Sequence, residues 1–96
     1  MIETHRNYQL MDKQHSHVHV KLNPVGVLDV SILDSDTHYL SDLDKVSFVP
    51  VGQVTAVSGC TDDSTWQLKF DKYDAIELNH LIANANEEFE ILMKDL

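Results

Sequence analysis

The tetrapeptide Asn23-Pro24-Val25-Gly26 constrains the fold of this chain more than any other feature, because it sits between two alternating runs. Asn at the first position, Pro at the second and Gly at the fourth fit a type I turn. A three-residue hairpin loop needs that turn followed by a left-handed residue, and Gly26 supplies one without steric cost. Upstream, His15 to Leu22 puts Val18, Val20 and Leu22 on one face and His17, His19 and Lys21 on the other. Downstream, Val27 to Leu33 puts Leu28, Val30 and Ile32 opposite Asp29 and Ser31. With Pro24-Val25-Gly26 as the loop, Leu22 faces Leu28, Val20 faces Val30, Val18 faces Ile32 and Lys21 faces Asp29. All apolar pairs then share one face, whereas a one-residue slip would set Val20 against Asp29.

The same period-two reading extends over much of the chain. Tyr8 and Leu10 alternate around Gln9 and suggest a first strand. Asp34 to Lys45 reads as a polar connection in which Tyr39, Leu40 and Leu43 pin one short helical turn. Val46 to Val57 is rich in strand formers, but Pro50 and Gly52 impose a bend, a bulge or a division into two strands. Ser58 to Ser64 reads as a loop, and Thr65 to Phe70 as a strand with Trp66, Leu68 and Phe70 inward.

The C-terminal region changes period. Asp74 fits a helix N-cap with Glu77 three residues on. At 100° per residue, Leu78, Leu81, Ile82, Ala85, Phe89, Leu92, Met93 and Leu96 form one stripe, with Ile76 and Ile91 off it. A stripe this wide suits packing on a sheet better than a narrow coiled-coil seam. The expected fold is therefore α+β: a mainly antiparallel sheet of four to six strands with one long C-terminal helix across it, residues 1–96 forming a single domain.

Charge narrows the function classes. Residues 1–28 carry Glu3 and Asp12 against Arg6, Lys13 and Lys21, a balance of +1. Residues 29–96 carry 14 acids against Lys45, Lys69, Lys72 and Lys94, a balance of −10. Such a field repels phosphate backbones and anionic lipid, so neither direct nucleic-acid binding nor a membrane surface is expected. The longest uncharged run, Val46 to Thr61, is too short and too broken to span a bilayer. The N-terminus has Glu3, His5 and Arg6 where a signal peptide would be apolar. A lone Cys60 forbids an internal disulfide and suits a reducing, cytoplasmic setting.

Catalytic signatures do not stand out. Cys60 neighbours Asp62 and Asp63, which disfavour a thiolate. Asp34-x-Asp36-x-His38 and Asp42-x-Asp44 superficially follow a calcium loop, but Tyr39 and Lys45 occupy the positions where an EF-hand needs Gly and Glu. No cofactor is expected. His17 and His19, two apart on a strand face, could share a zinc with a third ligand from His5, His38, His80 or an aspartate. The plainer reading makes them solvent-facing residues opposite a buried Val-Val-Leu face.

These observations favour a non-enzymatic acidic interaction protein: an inhibitor, immunity-type or accessory subunit, in its strongest form a DNA mimic. Its partner would be a basic or nucleic-acid-binding protein, with a homodimer left open. The acids without an evident local duty are Asp34, Asp36, Asp42, Asp44, Asp62, Asp63, Glu87, Glu88 and Glu90. The alternatives are a metal-binding protein or metal-dependent enzyme centred on His17 and His19, and a small ligand-binding module.

Overall fold

The alternating runs become strands, and the turn chemistry sets their register. The computed structural model describes residues 3–23, 25–61 and 63–94, with 88–94 as helical backbone. Strands β1 (Thr4–Gln9), β2 (His17–Asn23), β3 (Val27–Ile32) and β4 (Thr37–Asp42) form one antiparallel sheet in chain order. A 3-10 turn, Leu43–Lys45, leads to β5 (Ser47–Val51), β6 (Val54–Cys60) and β7 (Thr65–Asp71), a second antiparallel sheet. Helix α1 (Lys72–Lys94) follows β7 directly. The class is α+β, with the strands divided four and three between two sheets.

The β2–β3 hairpin has the expected register: Leu22 pairs with Leu28, Lys21 with Asp29, Val20 with Val30 and Val18 with Ile32. Gly26 has φ +98°, and its N–H donates to the Asn23 carbonyl at 3.0 Å. The Asn23 side-chain oxygen accepts from the Val25 N–H at 3.0 Å. Pro24 lies outside the described residues. Between β5 and β6, Gly52 has φ +64° in a two-residue loop closed by Val51 and Val54. Glycine at the first loop position is the type II′ solution, so the Pro50–Gly52 break resolves as two strands.

Four expectations need correction. Residues 34–45 are not simply a connection, because Thr37–Asp42 is a full edge strand paired with β3. The expected loop at Ser58 starts later, since β6 runs through Cys60. His15 is not on β2; it sits in the preceding turn with φ +50°. The helix starts before Asp74: the Asp71 carboxylate accepts the Tyr73 N–H at 3.0 Å, so Asp71 is the N-cap.

The inner faces of both sheets and the first half of α1 enclose the core. Val18, Val20, Leu22, Leu28 and Val30 meet Val57, Trp66 and Phe70, and the helix adds Ala75, Leu78 and Ile82. Leu81 and Ala85 pack at its margin, and Ile76 is exposed, as the helical period requires. The side chains from Glu88 onward, Phe89 and Ile91 among them, lie outside the described residues.

Two links join the sheets. Leu10 bridges Phe70, and the Met11 N–H donates to the Lys69 carbonyl at 2.9 Å. On the other side, the Cys60 N–H donates to Ser41 Oγ at 3.1 Å, and the Trp66 indole N–H to the Leu40 carbonyl at 2.9 Å. Trp66 reaches Leu40 across Gly59: a Cβ on Gly59 would come within 2.6 Å of Trp66 Cε2 and 2.8 Å of Ser41 Cβ. Among the described residues, β5 pairs only with β6, and it exposes Val49 and Val51.

Candidate functional site

The candidate acids separate into two groups. Asp34 and Asp36 occupy the β3–β4 turn, where both have local duties. Asp34 Oδ2 accepts the His17 N–H at 2.8 Å and lies 3.5 Å from His17 Nδ1. Asp36 holds φ +55°, a conformation that Asp tolerates better than most residues. Asp42 and Asp44 lie at the far end of β4, about 17 Å away along a six-residue strand. Asp42 pairs with Lys45 at 3.3 Å, and Asp44 is exposed in the 3-10 turn.

The hydrogen bond from Cys60 to Ser41 draws the end of β6 against the end of β4. Exposed Asp63, just past β6, therefore lies at the same end of the molecule as Asp42 and Asp44. Glu87 is exposed on α1. Asp62 and the side chains of Glu88 and Glu90 lie outside the described residues. The described candidate acids therefore do not share one surface.

The acids assigned local roles also differ in detail. Asp29 faces Lys21 in register but hydrogen-bonds His38, while Lys21 pairs with Glu3 at 3.6 Å. Glu77 does not complete a capping box. Its Oε1 accepts the Tyr8 hydroxyl at 2.7 Å and lies 3.7 Å from Arg6 Nε. Burial, then the Glu77 carboxylate, push the Tyr8 phenol well above its ordinary range. Burial, then Asp71 and Glu77, raise the Asp74 carboxyl. Asp12 is lowered, chiefly by the Ser16 N–H that its carboxylate accepts at 3.0 Å.

The outer face of the four-stranded sheet gathers imidazoles. His17 and His19 both lie there, but they do not converge. His17 turns to Asp34. His19 Nδ1 lies 2.8 Å from Asn7 Oδ1, and its Nε2 lies 2.9 Å from His5 Nδ1. The β1–β2 register causes this: Asn7 faces His19 and His5 faces Lys21, which makes His5 a diagonal neighbour of His19. The pairing was missed in sequence because β1 has no turn signal to set its register. Among the described residues, no three His, Cys, Asp or Glu side chains gather as a metal cluster.

Cys60 is half-buried and borders an open groove with Lys45, Trp66 and Gln67. No described helix is long and apolar enough to cross a membrane. Comparison with protein-family models, curated proteins and solved structures finds no match to this chain.

Proposed function

We propose that this chain is a non-enzymatic acidic interaction protein, an inhibitor, immunity-type or accessory subunit, that docks on a basic surface of a partner protein. The observation that carries this reading is the placement of exposed Asp42, Asp44 and Asp63 at one end of the fold. The Asp42–Lys45 pair there is exposed and contributes about 0–1 kcal/mol at most. Like charges gathered at one end oppose folding, and docking on cations accounts for their presence. In the strongest form the carboxylates stand in for DNA phosphates and occupy a nucleic-acid-binding groove. A reducing compartment such as the cytoplasm suits the unpaired Cys60.

The test begins with the untagged chain as bait in an extract of its native host. The captured partner is expected to be basic, and its affinity should fall steeply with added salt. The double reversal Asp42→Lys with Asp44→Lys should slow association more than it speeds dissociation. A partner whose binding ignores both salt and this reversal would remove the acidic end as the working surface.

A further inference from the structure

Of the four histidines on the outer sheet face, two are engaged by carboxylates: His17 by Asp34 and His38 by Asp29. The other two, His5 and His19, face each other. Their ring centroids are 5.1 Å apart and their planes are inclined by 34°, an edge-to-edge approach through nitrogen rather than a stack. We propose that His5 and His19 form a binding site for a divalent transition-metal ion, tightest for Cu(II), with Asn7 as the residue that positions His19.

The chemistry follows from the hydrogen bonds. The Asn7 side-chain oxygen only accepts, so His19 Nδ1 carries the proton it shares with Asn7. In the neutral ring this leaves the Nε2 lone pair free, aimed at His5. A ligating histidine whose second nitrogen is tied to an oxygen acceptor is the usual arrangement around metals, because it sets the tautomer and the ring orientation. Without metal, His5 Nδ1–H donates to His19 Nε2. A metal ion replaces that proton, which moves to His5 Nε2 on the solvent side. No net proton need leave.

The spacing fits an ion. With metal–nitrogen bonds of about 2.0–2.1 Å, two nitrogens sit about 2.9 Å apart at a 90° angle and about 3.3 Å apart at a tetrahedral one. The observed separation of 2.9 Å equals that of a 90° bite, but the two rings point at each other along a hydrogen bond, so each turns by about 45° to aim its lone pair at Cu(II) or Ni(II), and Zn(II) needs a slightly wider separation as well. Cu(II) also heads the general affinity order for nitrogen sites. His5 is exposed, so an ion enters without disturbing the core. The nearest cation across the strands is Lys21, which pairs with Glu3 at 3.6 Å. With two protein ligands, water completes the coordination.

The test is calorimetric titration of the untagged chain with CuCl2, NiCl2 and ZnCl2, read beside imidazole nitrogen NMR. One equivalent should bind, tightest for Cu(II), with the His5 and His19 resonances shifting or broadening first. His5→Ala and His19→Ala should each weaken binding by about tenfold or more, and Asn7→Ala by several-fold, while His17→Ala leaves it within about twofold. Circular dichroism of each exposed-face variant should match the parent. The proposal fails if no saturable binding appears up to about 1 mM metal. It also fails if His17→Ala abolishes binding, or if His19→Ala leaves it intact, the mark of an amino-terminal chelate with His5 alone.

Discussion

The Tyr8 hydroxyl donates to Glu77 Oε1 at 2.7 Å, clasping the first strand to the terminal helix across 69 positions of sequence. Tyr8 also meets Phe70 edge-on, with centroids 5.6 Å apart. Tyr8→Phe keeps the ring and removes the clasp, and should lower stability by about 1–2 kcal/mol in chemical denaturation. Because the folded state raises the phenol's pKa, the stabilisation is complete below the unfolded value of about 10 and is lost as pH rises toward the folded one. The gap between parent and Tyr8→Phe should therefore narrow in melts above about pH 10.

Asp12 and Asp74 should respond to acid with opposite signs. The lowered Asp12 stabilises the fold above its unfolded pKa, and that contribution is lost as pH falls through the folded value. Asp12→Asn should melt lower than the parent at neutral pH and match it near pH 2. The raised Asp74 favours the fold when protonated, and this contribution is lost as pH rises through the folded value. Asp74→Asn should melt higher at neutral pH and lose that advantage at about pH 3. Melting temperatures over a pH series check both.

Gly59 should tolerate no side chain. Ala at this position must displace the Trp66 ring or Ser41 and so loosen the indole bond to Leu40. Overpacking of this kind costs about 1–3 kcal/mol. Trp66 is the only tryptophan, so a red-shifted emission alongside the lower melting point would report the displaced ring.

Reversing Asp34 should weaken the fold rather than merely change its charge. Asp34→Lys removes the acceptor of the His17 N–H, and Asp36→Lys puts a long side chain at φ +55°. Each should lower the melting temperature, with Asp36→Gly neutral or stabilising. The Asp44→Lys reversal, on a side chain without a described partner, should leave it unchanged or slightly raised.

Legibility in sequence followed the agreement of independent signals. The β2–β3 register was readable because turn chemistry and alternation coincide at Asn23–Gly26. The β4 strand was not, because its pattern is inverted: Ser41 is buried while Leu40 is 43% exposed. A small polar residue sits inside because Gly59 passes so close to it. Asp71 and Asp74 are both plausible caps by type, and only the absence of a loop after β7 selects Asp71. The acidic character was plain from composition, but its division between two ends depends on contacts between distant strands. The His5–His19 pair likewise needed the β1 register.

Pro50 gives the exposed edge of β5 a further property. In a two-residue hairpin closed by Val51 and Val54, the next pair, Pro50 and Thr55, is the non-hydrogen-bonded one, so the proline nitrogen points away from β6. The ladder with β6 loses nothing. What is lost is a donor on the open side of Phe48-Val49-Pro50-Val51, an otherwise apolar segment with Val51 68% exposed. An unprotected edge of that composition recruits strands from other molecules into growing aggregates, and an edge proline interrupts the template. Pro50 thus interrupts the hydrogen-bonding template along this edge. Replacing it with Val would leave the native pairing intact and make the chain prone to fibril growth at high concentration.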